Sequence, residues 1–164
     1  MLNPKAVAMI GATEREGAVG YALMKNLLLG KDRIAIYPVN PSRDTVIGLK
    51  CYQNIATIPE HADLAVIATP SKTVPGLVEE CGQAGGDGVV IISAGFREIG
   101  AEGLKLEEEV RSIQSKYGIR VLGPNCVGFI KPHIGLNATF LRDNPGTGQI
   151  AFVSQSGALC TVDL

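Results

Sequence analysis

Short, unbroken apolar runs alternate along this chain with stretches whose apolar residues recur every three or four positions. Residues 6–11 (AVAMIG) are too few for a helix and stop at a glycine, the mark of a buried strand. Val19, Leu23 and Leu27 then repeat every four residues, one face of an amphipathic helix. The runs 33–39 (RIAIYPV), 64–69 (LAVIAT), 88–93 (GVVIIS) and 119–122 (IRVL) predict four more strands. Val74, Leu77, Val78 and Cys81 set a second helix after the third strand, and Leu106, Val110, Ile113 and Tyr117 set a charged third helix after the fourth.

Strands that are apolar throughout, with helices between them, predict a parallel sheet covered on both faces. Right-handed crossovers make it an α/β, doubly wound sheet. Ligands of such sheets lie outside the carboxyl ends of the strands, so those loops are where chemistry is expected.

Beyond Asn125 the pattern changes. Residues 126–144 are expected to be irregular, and Asn144-Pro145-Gly146-Thr147-Gly148 reads as a linker or turn. A sixth apolar run, 149–153 (QIAFV), leads into Ser154-Gln155-Ser156-Gly157, and a helix of about two turns is too short to be stable alone. The expected organisation is therefore a domain over 1–125, an irregular segment and linker over 126–148, and the start of a second domain over 149–164, within a longer polypeptide.

Composition narrows the function classes. Of 164 residues, 46% are hydrophobic and 19% charged, and the formal net charge of −1 provides no general basic field for nucleic acid or a membrane surface. Any anion must be bound by a local device. No run approaches the roughly 20 apolar residues of a membrane span. Cys51, Cys81, Cys126 and Cys160 form no C-x-x-C pair and, with no cationic apolar leader, are expected as free thiols in a cytoplasmic protein. Together with two isolated histidines, His61 and His133, they make no metal site.

The first strand ends in Gly11-Ala12-Thr13-Glu14-Arg15-Glu16-Gly17-Ala18-Val19-Gly20. A strand–glycine loop–helix unit offers a phosphate unpaired N–H groups and a helix N-terminus. Gly11 and Gly17 are too widely spaced for the G-x-G-x-x-G dinucleotide fingerprint; the alternative is a bare tight turn. NAD-binding units place an acid after the second strand, whereas this chain reads Pro38-Val39-Asn40-Pro41-Ser42-Arg43 before Asp44. Arg43 suits the extra ribose phosphate of coenzyme A or NADP, and equally reads as a solvated arginine. The remaining strand ends, Ala68-Thr69-Pro70-Ser71, Ser93-Ala94-Gly95-Phe96-Arg97-Glu98 and Gly123-Pro124-Asn125-Cys126, mix small with hydrogen-bonding residues, as a long ligand across one edge requires.

In order, GAT…VG, YPVNP, VIATPS, ISAGF, GPNCVG, GLNATF and VSQSGAL closely resemble the α-subunit region of ADP-forming acetate–CoA ligases, and more distantly that of succinyl-CoA synthetase. The resemblance spans the whole chain. It implies a Rossmann-like CoA-binding domain over 1–125 and, over 149–164, the start of a second, flavodoxin-like domain. The implied reaction interconverts acyl-CoA, ADP and phosphate with acid, CoA and ATP through an acyl phosphate and a phosphohistidine. Gly11, Ala12, Thr13 and Val19 would surround the nucleotide end of coenzyme A, flanked by Asn40, Pro41 and Arg43. Thr69, Pro70, Ala94, Gly95 and Phe96 would line the pantetheine path, and Asn125 would lie near the thiol. Ser154, Ser156 and Gly157 match the start of a phosphate loop, with a plain helix N-cap as the alternative.

The phosphorylated histidine and its partner glutamate of that family lie beyond residue 164, so His61 and His133 are expected as surface histidines. No catalytic residue or metal ligand is assigned, and Cys126 lacks an activating histidine. The expected partners are coenzyme A and a nucleotide-grasp (ATP-grasp) β-subunit or fused domain that binds ADP or ATP with magnesium; self-association is open. The alternatives are the regulatory region of a protein lysine acetyltransferase and an NAD(P)-binding domain.

Overall fold

The computed structural model describes residues 1–159. The first apolar run forms β1 (Ala6–Ile10), every residue of which is buried. It leads through the glycine loop into α1 (Val19–Leu27) and back into β2 (Ala35–Val39). A small antiparallel hairpin follows, β3 (Thr45–Val46) and β4 (Leu49–Lys50), before the chain enters the sheet again as β5 (Leu64–Ile67). Then come α2 (Val74–Gln83), β6 (Gly88–Ile91), α3 (Ala101–Tyr117) and β7 (Arg120–Leu122). The five long-range strands form one parallel sheet in the order β2-β1-β5-β6-β7, as the α/β reading requires.

Alternation along each strand divides the core. Val7, Met9, Leu64, Val66 and Val90 face α1, where Leu23, Met24 and Leu27 meet them. Ala8, Ile10, Ala65, Ile67, Val89 and Ile91 face α2 and α3, where Val74, Val78, Cys81 and Val110 pack. The predicted apolar stripes of α2 and α3 lie on these contacts, as do Leu23 and Leu27 of α1, whereas Val19, the first residue of its predicted stripe, is exposed. One buried position of α3 was not foreseen: the carboxylate of Glu107 accepts from Arg97 Nε at 2.9 Å and Arg111 Nη2 at 2.8 Å. That pairing is what allows an acid to sit on the inner face.

The stretch expected to be irregular instead contains a second hairpin, β8 (Gly128–Lys131) and β9 (Leu136–Thr139). All of β9 is buried, and Leu136 and Ala138 complete the α1-side core. Its polar residues are internally satisfied, which is why hydropathy concealed it. Asn137 Oδ1 accepts from Thr139 N–H at 3.1 Å and from Thr139 Oγ1 at 2.7 Å. Asn26 Nδ2, from α1, donates to the carbonyls of Thr139 and Leu141 at 2.7 and 2.8 Å. This hairpin covers a face for which the sequence offered only one helix.

The sixth apolar run takes no strand. Ile150 is 95% and Val153 92% exposed, and residues 149–153 pair with no ladder among the described residues. A strand exists only by its pairing, and apolar character alone cannot supply it. No helix among the described residues is long and apolar enough to cross a membrane.

Candidate functional site

Gly11 is where the neighbours of β1 diverge, β2 to one side and β5 to the other, so it stands at the switch point of the sheet. Its φ of +92° requires glycine, and a Cβ there would lie 2.5 Å from the Ala68 carbonyl oxygen. The N–H groups of Gly11 and Ala12 donate to Val39 O at 3.0 and 3.4 Å, fixing the loop to the end of β2. Gly20, in the first turn of α1, packs directly on the Gly11 carbonyl. The helix begins after Ala18 with no side-chain cap and no acid in its first turn, which leaves its first amides as donors for an anion.

The end of β2 is organised by Asn40. Its Nδ2 donates to Ala12 O at 2.9 Å, while its Oδ1 accepts from Ser42 N–H at 2.9 Å. Asn40 is thus a brace between two loops. Arg43 follows it, exposed, on the same edge.

Ser93 ties the other three loops together. Its Oγ accepts from Thr69 N–H at 3.1 Å, and its carbonyl accepts from Asn125 N–H at 3.0 Å. Thr69 is further held by Thr73 Oγ1 at 2.8 Å. Gly95 lies against Ser71, close enough that a Cβ would fall 2.6 Å from Ser71 Oγ. Its N–H donates to Glu98 Oε1 at 2.6 Å, and this bond holds the Glu98 carboxyl below the usual range against a smaller opposing push from burial. The Cys126 thiol donates to Ile91 O at 3.3 Å and burial pushes it up, as befits a packed thiol.

The carboxyl edge therefore brings together Gly11, Ala12, Thr13, Val19, Asn40, Pro41, Arg43, Thr69, Pro70, Ala94, Gly95 and Asn125. Within this set Ala12 is fully buried, its N–H and carbonyl engaged by Val39 and Asn40, so it shapes the loop from within. Phe96 requires correction: its ring is 0% exposed and belongs to the core beneath α3, so it supports the Gly95 loop from below and lines no surface path. Ser154, Ser156 and Gly157 lie on the tail, where Ser156 N–H donates to Ser154 Oγ at 3.0 Å and Gly157 comes close to Val127, two residues beyond Asn125. Both histidines are exposed; Cys51 and Cys81 are buried free thiols, and Cys160 lies outside the described residues. Sequence reasoning missed Ser93 and Asn40 as braces and Glu14 and Glu98 as loop anchors. Position at a strand end was the available signal for the first two; nothing local marked the acids.

Two concavities lie at the opposite, amino edge of the sheet. One of about 650 Å³ is lined by residues including Asn54, Ile58, Glu60, His61 and Glu80, and one of about 400 Å³ by Gly82, Asp87, Tyr117 and Arg120. Neither contains the convergent amides and braced loops of the carboxyl edge. A phosphate-bearing ligand is held by donors, which makes the carboxyl edge the candidate site.

The family model described as "CoA binding domain" matches residues 5–132. The chain is 50% identical to acetate–CoA ligase [ADP-forming] I of Archaeoglobus fulgidus, over 96% of its own length and 23% of that protein's. It is 46% identical to the α-subunit of acetate–CoA ligase [ADP-forming] II of Pyrococcus furiosus, over 96% and 34%. The structure of acetyl-coenzyme A synthetase 1 of Ca. Korarchaeum cryptofilum, in complex with phosphate and ADP, superposes with a TM-score of 0.90 at 42% identity, covering 96% of this chain and 33% of that one. The chain thus spans about a quarter to a third of the length of these relatives.

Proposed function

This chain belongs to the CoA-binding domain family, and from that premise we propose that its carboxyl edge holds coenzyme A for an ADP-forming acetate– or acyl–CoA ligase. The observation that carries the reading is the convergence of five strand-end loops, braced by Asn40 and Ser93, around an uncapped helix start. The residues fit the ligand. Amides at the start of α1 and the Arg43 guanidinium suit phosphates, while the small residues Ala94 and Gly95 and the backbone of Thr69 leave room for a narrow pantetheine arm. Coenzyme A supplies the thiol that carries the acyl group; this chain orients it, with Asn125 nearest the thiol end.

The whole reaction, from acyl-CoA, ADP and phosphate to acid, CoA and ATP, belongs to a larger assembly. We assign Ser154, Ser156 and Gly157 to the start of its phosphate loop, in a second domain beginning near residue 149. An ATP-grasp β-subunit or fused domain would bind ADP or ATP with magnesium, in the cytoplasm. Residues 1–164 alone bind without turnover.

The test is calorimetric titration with CoA, dephospho-CoA, NAD and NADP at one salt concentration. Saturable binding of CoA, weakened when the 3′-phosphate is missing, is expected, and Arg43→Ala should abolish that difference. Preference for NAD or NADP would overturn the reading.

A further inference from the structure

The glycine loop is held from outside by the segment that follows β2, and one of its two anchors is an acid. Asn40 Nδ2 donates to Ala12 O at 2.9 Å, and Ile47 N–H donates to Glu14 Oε1 at 2.6 Å. Thr13 sits between the anchored positions, its Oγ1 accepting from Arg15 N–H at 3.2 Å. The segment that meets the loop at both points also carries Arg43. Its own base is fixed to the sheet, since Asn40 N–H donates to Tyr52 O at 2.8 Å and Tyr52 N–H to Pro38 O at 2.9 Å.

Ile47 stands at the tip of the β3–β4 hairpin. The two-residue turn places Ile47 at φ +49° and Gly48 at φ +73°. Glycine adopts that region freely, but a β-branched residue there is a genuine outlier, because its Cβ crowds the following carbonyl. Ile47 is nonetheless retained, half-buried against the core cluster that contains Val46. An unfavourable backbone conformation thus stands where this hairpin hydrogen-bonds the glycine loop. A carboxylate is also the wrong sign for a loop that receives phosphate. Glu14 directs its charge to the turn amide, where a charge-assisted bond is strong.

We propose that Glu14 is a positioning residue for the nucleotide end of the ligand: its carboxylate locks the strained Ile47 turn against the glycine loop and so sets the spacing between Thr13 and Arg43. The proposal rests on the reading of this edge as a coenzyme A site. It goes beyond that reading by assigning a role to an acid and a hairpin that make no direct contact in it.

The test compares wild type, Glu14→Ala and Glu14→Gln in this protein, by amide hydrogen exchange without ligand and by calorimetry with CoA and 4′-phosphopantetheine. Glu14→Ala is expected to speed exchange at Ile47 and to weaken CoA about tenfold, roughly 1.4 kcal/mol. Affinity for 4′-phosphopantetheine, which lacks the adenosine, stays unchanged. Glu14→Gln keeps a side-chain oxygen acceptor and restores most of both properties. Equal losses for the two ligands, or unaltered CoA affinity, overturn the positioning role. Unchanged Ile47 exchange in Glu14→Ala overturns the anchor itself, independently of any ligand. Should wild type bind no CoA, the reading of the edge fails and the positioning role with it, while the exchange data still decide the anchor.

Discussion

Gly76 and Gly82 both lie within α2, and helix propensity alone favours alanine over glycine by up to about 1 kcal/mol at such positions. The tertiary structure separates them. A Cβ on Gly76 meets nothing within 4 Å. A Cβ on Gly82 would lie 2.5 Å from Tyr117 Cγ, 2.6 Å from Cδ2 and 3.0 Å from Cβ, where 3.4–4 Å is ordinary contact. These are the root and near edge of the ring, so a rotation of the tip does not relieve them. Tyr117 is also fixed at its far end, its hydroxyl donating to Glu79 Oε1 at 2.6 Å on α2 itself. Alanine at 82 must therefore move α3 from α2 by about 1 Å, a typical overpacking cost of about 1–3 kcal/mol. Set against the propensity gain, Gly82→Ala should lose up to about 2 kcal/mol, whereas Gly76→Ala should gain about 0.4–1 kcal/mol. Urea unfolding of the three proteins, compared at equal m-value, measures both. A Gly82→Ala midpoint at or above that of wild type would refute the argument that the α2–α3 contact is tight at this point.

Two further outcomes follow from buried and hydrogen-bonded ionisable groups. Burial pushes the Asp63 carboxyl up, but the amides of Lys5 and Ala6, with help from His61 and the N-terminus, outweigh it and leave it below the ordinary value. A depressed folded-state value means that its stabilisation is complete above the unfolded-state value and disappears as pH falls through the folded one. Urea midpoints measured between about pH 2 and 5 should therefore fall steeply in wild type and less so in Asp63→Asn, which is also weaker at neutral pH; parallel profiles would contradict this. Burial, with a smaller push from Glu80, raises the Cys81 thiol to about 12. Iodoacetamide at about pH 8, followed by peptide mass spectrometry, should leave Cys81 unmodified in the native protein and alkylate it fully in denaturant. Native labelling at the rate of a free thiol would show that α2 opens readily.

How much was legible in advance differs from element to element. The runs 6–11, 64–69 and 88–93 were recognisable as buried strands because burial on both faces leaves no polar alternation, and their helices because one face must be apolar. The parallel direction of the strands followed from the succession of strands and helices. Partnership did not. Nothing in LNAT reveals that Asn137 and Thr139 satisfy each other and that Asn26 closes their backbone, so a buried strand read as a loop. QIAFV, more apolar, has no ladder among the described residues. Phe96 stood in a ligand-edge motif, yet its ring points into the core, since the chain turns beneath the sheet edge before α3 begins. Residue pattern and local propensity record which side of a segment avoids water. Which segment meets that side, and which acid reaches across 33 positions from Glu14 to Ile47, depends on contacts distant in sequence, and only the assembled structure decides those.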